Sequence, residues 1–267
     1  MIELTGISPA DVRAAAVAHE LSLDWSGDSF TADQWLEGEH RAVVVDGEHV
    51  GVTGWSEAGL SLLTLSPAAR RHDRQVAGAV LRESGARTAY VASWDAHHLA
   101  VLGAFATGIA SQAYQFRLVH RDDLREPVAG LSVRPATAED LPWLESTGFQ
   151  DDYAQYLDRN ALSIATLDAA EVGIAVHVPH ALADDVVDIG MYVDPALRRR
   201  GVGSSILALT AREVLAQGRT PVAGCWWKNW ASRVTLETAG LTCAGTIFRL
   251  DLDPDVFADA GGFEARA

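Results

Sequence analysis

The chain repeats itself, and that repeat constrains its architecture more than any single motif does. Trp94, Gly108, Phe116, Arg117 and Leu118 align without gaps to Trp226, Gly240, Phe248, Arg249 and Leu250. Ser66-Pro67-Ala68-Ala69-Arg70-Arg71 echoes Asp194-Pro195-Ala196-Leu197-Arg198-Arg199, and Asp46 and Gly51 match Asp168 and Gly173 at a constant offset. Each half opens on a helix N-cap signal, Ser8-Pro9-Ala10-Asp11 and Thr137-Ala138-Glu139-Asp140, with a hydroxyl three residues ahead of a carboxylate. An apolar stripe follows each, through Val12, Ala15, Ala16 and Leu21 and through Leu141, Trp143 and Leu144. Hairpin patterns come next, at 43–51 and 164–173. The order strand, helix, hairpin, strand, helix, strand, helix, strand in each half predicts an α/β layer architecture. The polar stretch Arg121 to Gly130 reads as the connector. Domains are therefore expected at 1–125 and 131–255, with a tail at 256–267.

A chain of 267 residues, 48% hydrophobic, can bury one large core or two ordinary ones. No apolar run reaches the ~18 residues that span a bilayer, and no basic region followed by an apolar core opens the chain. The expectation is a cytoplasmic protein without a membrane partner. A formal net charge of −15 argues against a nucleic-acid partner, since phosphate binding is carried by Lys and Arg. The same background attracts amine-bearing substrates. Cys225 and Cys243 have neither framework nor metal spacing, and Cys225 is expected to pack within a strand. His177-Val178-Pro179-His180 and Asp184-Asp185 read as solvated residues of an exposed hairpin loop, and no metal is expected.

Positive charge is concentrated in one place. Val186 to Val193 predicts a short buried strand closed by Asp194-Pro195. Leu207, Ala211, Val214 and Leu215 mark one face of a following helix. Between them lies Arg198-Arg199-Arg200-Gly201-Val202-Gly203-Ser204. Glycine lets backbone N–H groups approach an anion, and the helix N-terminus adds unpaired N–H groups and a positive dipole end. Such a loop cradles a pyrophosphate. Its Arg-x-x-Gly-x-Gly pattern after Val-x-Pro resembles the coenzyme A loop of the GCN5-related N-acetyltransferase (GNAT) superfamily. Asn229-x-x-Ser232, followed eight residues later by Gly240-Leu241, resembles a later motif of the same family. With its two halves the chain resembles a tandem GNAT protein, an arrangement also found in mycothiol synthases.

The resemblance implies two tandem GNAT-like domains, each a mixed, mostly antiparallel sheet flanked by helices. It implies acetyl-CoA as cosubstrate in the second half, held by Arg198, Arg199, Arg200, Gly201, Val202, Gly203 and Ser204. Main-chain groups of Met191, Tyr192 and Val193 would bond the pantetheine amides, with Asn229 and Ser232 beside the arm. Asn229 is equally suited to cap its helix, and the two roles are compatible. A backbone N–H near the thioester would stabilise the oxyanion while the primary amine of a small molecule attacks directly. Neither cysteine has the His partner of a covalent route.

Asp188 is the nearest carboxylate for the amine proton. Strand alternation groups it with Gly190 and Tyr192, opposite Ile189, Met191 and Val193. Glu145, Asp151 and Asp152 either shape the acceptor region or form an exposed acidic face. Many family members carry a tyrosine acid seven residues after the asparagine; here that position is Leu236, and Tyr192 is the substitute. Loss of the acid slows transfer without forbidding it, since a thiol of pKa ~8.5 leaves as thiolate at a cost of about 2 kcal/mol. Trp226, Trp227 and Trp230 are expected to pack, with a place for one of them lining the acceptor cleft as the alternative. In the first half Asp73 and Gln75 stand where Gly201 and Gly203 stand, and His97 replaces Asn229. An aspartate there repels phosphate, so that half is expected to be degenerate and without cofactor, with an anion patch of Arg70, Arg71 and Arg74 as the alternative. The alternative reading is a non-catalytic acyl-CoA-binding or regulatory module. Either a monomer or a homodimer is compatible with the repeat.

Overall fold

The computed structural model describes residues 1–150 and 152–257. Its first elements are β1 (Ile2–Thr5), α1 (Pro9–Glu20), α2 (Ser29–Leu36), β2 (Glu39–Val45), β3 (Glu48–Ser56) and β4 (Gly59–Leu65). Next come α3 (Asp73–Ser84), β5 (Thr88–Ala92), α4 (Ala96–Gly103) and β6 (Ala106–Arg117). The second half gives β7 (Leu131–Pro135), α5 (Leu141–Thr147), α6 (Ala154–Asp158), β8 (Leu162–Leu167), β9 (Ala170–Pro179) and β10 (Val186–Val193). It ends with α7 (Val202–Ala216), β11 (Thr220–Trp226), α8 (Trp230–Ala239) and β12 (Thr242–Leu252).

These elements form two compact units that do not follow the sequence halves. Unit 1 is Met1–Trp25, Phe30–Ala113 and Gly245–Ala267; unit 2 is Ser26–Ser29 and Tyr114–Ala244. Within unit 1 the strand order is β1-β2-β3-β4-β5-β12, and within unit 2 it is β6-β11-β10-β9-β8-β7. Thus β12 pairs antiparallel with β5, Ile247 opposite Ala92 through Asp251 opposite Thr88. The expected boundaries were 1–125 and 131–255; in the compact units β6 divides after Ala113 and β12 after Ala244, so unit 1 gains Gly245–Leu252 and unit 2 gains Tyr114–Arg117. Local patterns in a sequence cannot show which copy of a repeated strand completes which sheet.

The repeat extends to packing. The β2–β3 turn puts Asp46 and Gly47 at φ 52° and 84°, and the β8–β9 turn puts Asp168 and Ala169 at 50° and 67°. Left-handed pairs of this kind match the twist of the flanking strands. A Cβ on Gly51 would lie 1.9 Å from the carbonyl oxygen of Thr64, and one on Gly173 would lie 2.4 Å from that of Tyr192. Both halves need a bare backbone at the same place.

Caps form where the sequence signals them. The Ser8 side chain accepts from the Asp11 N–H at the start of α1. Thr137 and Asp140 make a reciprocal capping box ahead of α5. Arg134 donates to both Asp140 oxygens at 2.8 and 2.6 Å, and this pairing holds the Asp140 carboxyl down at about 2. Leu21 ends α1 exposed rather than on its apolar stripe, because the helix stops at Glu20.

Each unit buries its own core. In unit 1, Val76, Val80 and Leu81 of α3 and Val101 and Leu102 of α4 pack with Leu63, Leu65 and Val91 of the sheet. In unit 2, Leu207, Ala211 and Val214 of α7 pack on Val187, Ile189, Ala223 and Cys225. The opposite face of that sheet carries Leu144, Tyr153, Ile164 and Ile174, with Tyr192 against them. Burial pushes the Cys225 thiol up to about 11, as suits a packing residue. No helix among the described residues is long and apolar enough to cross a membrane.

Two expectations fail. His180 is 5% exposed, not solvated: its Nδ1 accepts from the Leu182 N–H, and Leu182 and Ala183 bury beside it. His177 lies on β9 and bonds the Ser163 hydroxyl at 3.1 Å. Burial lowers the pKa of both imidazoles. The connector is also more than a tether. Leu124 is buried, the Arg125 N–H donates to the Ala239 carbonyl, and the Val128 N–H donates to the Ser205 hydroxyl of α7.

Candidate active site

The site begins where two parallel strands part. The β10–β11 ladder covers Val186 to Asp188 only, whereas β10 stays paired with β9 from Val187 to Val193. A slot therefore opens beside Ile189 to Val193, on the edge that β11 has left. At its open end Asp194 caps the turn Pro195–Leu197 by accepting from the Ala196 N–H. Arg199 and Gly201 then take left-handed backbone at φ 62° and 80°, and α7 starts at Val202.

The loop is built from its own residues and from the connector. Arg198 Nε donates to the Val193 carbonyl at 3.1 Å, with its guanidinium 5.9 Å from the Tyr192 ring centroid. Arg198, Arg199 and Arg200 are exposed. Ser204 is buried; its hydroxyl donates to the Gly201 carbonyl and accepts from Arg125 at 2.6 Å. Ser205 donates to the same carbonyl at 2.8 Å. Gly203 has a second reason to be glycine, because a Cβ there would sit 3.2 Å from both Val193 and Thr235. The helix thus packs close to strand and neighbour, with its free N–H groups facing the loop.

The later motif forms a cap. Asn229 Oδ1 accepts from the Ser232 N–H at 3.1 Å, and Gly240 closes α8 in left-handed backbone at φ 107°. Leu236 is 2% exposed, in the core under α8. Trp226, Trp227 and Trp230 do not pack as expected: they are 53%, 41% and 64% exposed. They end a strand and start a helix on outward-facing positions, and instead of a core they meet cations. Lys228 Nζ lies 5.5 and 5.0 Å from the Trp226 and Trp227 rings, and Arg233 lies 5.3 Å from that of Trp230.

Alternation along β10 falls as read. Ile189, Met191 and Val193 face α7, while Tyr192 faces the other way, its ring centroid 5.4 Å from that of Phe149. Asp188 and Gly190 share that second face, as does Gly224 of β11. Asp188 Oδ2 accepts from the Ser29 hydroxyl at 2.7 Å and the Ser29 N–H at 3.1 Å. Asp28, buried, exchanges two hydrogen bonds with Gln115, at 2.8 and 2.7 Å. A Cβ on Gly224 would lie 1.9 Å from Asp28 Oδ2. Two carboxylates thus stand at the blind end of the slot, beside two bare glycines. Glu145 and Asp152 are exposed, Asp152 capping α6; Asp151 lies outside the described residues. Asp28, Ser29, Gln115 and Arg125 were not legible in the sequence, since Ser29 and Asp188 are 159 residues apart.

Unit 1 builds the same junction and closes it. The β4–β5 ladder is reduced to Leu60 opposite Ala89. Here the His98 ring, from the first turn of α4, bonds the Leu63 carbonyl through Nε2. Its Nδ1 lies 2.8 Å from Asp95 Oδ2, which also takes His19 Nε2 at 2.7 Å. Burial alone would raise Asp95; the bonds from His19 and His98 outweigh it and hold the carboxyl well below its usual range. Burial lowers His98. By the repeat, Leu63 corresponds to Met191 and His98 to Trp230, so a side chain that leaves the slot in unit 2 crosses it in unit 1.

A fold of this kind is the GNAT fold, present in tandem. The chain is similar to a GNAT-family acetyltransferase from Colwellia psychrerythraea, at 16% identity and a TM-score of 0.78, over 95% of this chain and 100% of that one. It is similar to a tandem GNAT protein from the clavulanic acid biosynthesis pathway, at 15% identity and a TM-score of 0.62, over 93% and 98%. A GCN5-related N-acetyltransferase from Sphaerobacter thermophilus follows at 16% identity and a TM-score of 0.57, over 93% and 95%. No protein-family model matches the chain, and no curated protein matches its sequence. The likeness is one of fold, and it spans both units.

Proposed function

We propose that unit 2 is an N-acetyltransferase that transfers the acetyl group of acetyl-CoA to the primary amine of a small molecule. The observation that carries this reading is the slot between β10 and β11, open at one end onto the Arg198–Gly203 loop and lined at the other by Asp28 and Asp188. The diphosphate of coenzyme A suits the N–H groups of Gly201 to Gly203 and the three guanidinium groups. The pantetheine arm suits the edge of β10 at Met191, Tyr192 and Val193, with Asn229 and Ser232 beside it.

Transfer then needs an acceptor amine at the face carrying Gly190. An ammonium group arriving there meets Asp28 and Asp188. Neutralising an amine of pKa ~10 at pH 7 costs on the order of 4 kcal/mol, and Asp188 is the group suited to take the proton. The neutral amine forms the N–C bond at the thioester carbonyl, the C–S bond breaks, and the thiolate takes up a proton. Tyr192 is the hydroxyl on that face suited to supply it. A covalent route through Cys225 is disfavoured, because its thiol is pushed up and its side chain faces the α7 core.

Acetyl-CoA with a panel of amines, followed by release of free thiol, tests the reading. Turnover is expected with small cationic amines. Asp188→Asn should lower kcat/KM for them by about 10- to 50-fold while leaving coenzyme A affinity within a few-fold. A second reading, an acyl-CoA-binding or regulatory module, is favoured by Leu236, a core residue where an acid would otherwise stand. It predicts tight coenzyme A binding with no thiol release for any amine.

A further inference from the structure

Unit 1 holds a cluster that acyl transfer in unit 2 does not use. His19 lies in the last turn of α1, Asp95 is the N-cap of α4, and His98 is in the first turn of α4. Each brings one ligating atom, and the three atoms lie within 4.8 Å of one another. Asp95 and His98 are buried and His19 nearly so, with the Trp35 ring centroid 4.9 Å from that of His19. No local spacing announces the set, because His19 and Asp95 are 76 residues apart. Unit 2 does not share it either: Trp227 and Trp230 stand there where Asp95 and His98 stand here, and neither indole is a ligand.

The three side chains are oriented for a shared cation. Asp95 divides its carboxylate: Oδ1 accepts the His98 N–H at 3.1 Å as the helix cap, and Oδ2 faces both rings, 2.7 Å from His19 Nε2 and 2.8 Å from His98 Nδ1. The other ring nitrogen of His98, Nε2, bonds the Leu63 carbonyl. A carbonyl only accepts, so a neutral His98 carries its proton on Nε2 and turns a bare lone pair on Nδ1 toward Asp95. Two acceptors this close need a positive centre between them. A proton serves one pair, whereas a divalent cation serves Nδ1, Oδ2 and His19 Nε2 together. An imidazole whose second nitrogen donates to a backbone carbonyl is held as metal-ligating histidines are held. Two imidazole nitrogens and a carboxylate oxygen suit Zn²⁺ rather than Mg²⁺ or Ca²⁺, which take oxygen ligands.

We propose that His19, Asp95 and His98 form a Zn²⁺ site that fastens the end of α1 to the start of α4. The enclosure of Asp95 and His98 suits a metal that holds structure. The site is separate from the slot of unit 2 and independent of the acyl-transfer reading.

Calorimetric titration of the chelator-treated full chain with Zn²⁺ tests it. One equivalent should bind with a Kd below ~1 μM. His19→Gln and Asp95→Asn should each weaken that binding by at least ~100-fold. His49→Gln with His120→Gln removes two exposed imidazoles and should leave it intact. Zn²⁺ at a hundredfold excess over Kd should raise the melting temperature of the chain by about 5–10 °C and that of His19→Gln not at all. Absence of uptake would overturn the proposal, as would equal affinity in His19→Gln or binding that disappears with His49 and His120. Asp95→Asn keeps an acceptor for the α4 cap; should it still fail to fold, His19→Gln, at the rim of the cluster, decides.

Discussion

The two slots are the same piece of architecture with opposite occupancy. In unit 2 the face beside the slot reads Asp188, Gly190, Tyr192 on β10 and Gly224 on β11; in unit 1 the corresponding residues are Leu60, Leu62, Thr64 and Ala92. Leu62 is fully buried and Ala92 nearly so, while a register shift in β4 turns Leu60 into the core with Leu63 and Leu65. The loop glycines of unit 2 are Asp73 and Gln75 in unit 1, where α3 starts at Asp73 without any left-handed residue before it. His98 then ties the backbone of β4 from inside. In unit 1, buried side chains occupy the ground beside β4 that bare glycines leave open beside β10 and β11 in unit 2.

The most severe way to break the comparison is to make loop 2 into loop 1. Gly201→Asp with Gly203→Gln should weaken coenzyme A binding at least ~100-fold by calorimetry, a loss of about 2.7 kcal/mol. The reciprocal Asp73→Gly with Gln75→Gly should gain no coenzyme A binding while His98 and Leu62 remain. If that pair alone confers affinity, the loop rather than the filled slot is what separates the units. Next in size, Gly190→Leu installs the side chain of Leu62 on the acceptor face. Acetyl transfer should fall by about 100-fold while coenzyme A affinity changes less than threefold, since only the amine's approach is obstructed.

Gly224→Ala installs Ala92 of unit 1. Its methyl group would collide with Asp28 Oδ2, so urea denaturation should register a loss of about 2 kcal/mol. An unchanged midpoint would mean that the segment bearing Asp28 yields freely. The smallest effect is a shared one. His98 of unit 1 and His177 and His180 of unit 2 are all depressed from an ordinary value near 6.5 by burial. The folded chain takes up protons on them less readily than the unfolded chain, so stability falls as pH drops below about 6.5. The depressed Asp95 and Asp140 contribute stability that is present above their usual 3.8 and is lost only in stronger acid. A melting temperature flat above neutrality and lower by about 5 °C near pH 5.5 is expected.

Much of this was legible in the residues. The limits of β10, the two hairpins at 43–51 and 164–173, both N-cap signals and the alternation of Asp188 with Tyr192 all followed from local chemistry. The loop is local too, because glycine and helix start act within a few residues. What could not be read was set at long range. Ser29 reaches Asp188 and Asp28 reaches Gln115 across distant stretches of chain, with no periodicity to announce them. The tryptophans failed as core residues because their neighbours are cations on the same short segment, and hydrophobicity scales register bulk rather than direction. His180 failed the other way: a polar residue between Pro179 and the pair Asp184-Asp185, yet enclosed by its own turn.

The passage of most of β12 into unit 1 has a consequence for synthesis. A ribosome emits the N-terminus first, yet unit 1 includes Gly245–Leu252 of β12 and cannot be finished until nearly the whole chain has emerged. Unit 2 has all its residues once Ala244 has left the exit tunnel. The half translated first therefore completes last, waiting for the time it takes to translate more than a hundred further residues, with the β5 edge unpaired throughout. At about 5–20 residues per second that interval is several seconds or more, and it is the period in which this protein is most exposed to chaperones and to misassembly.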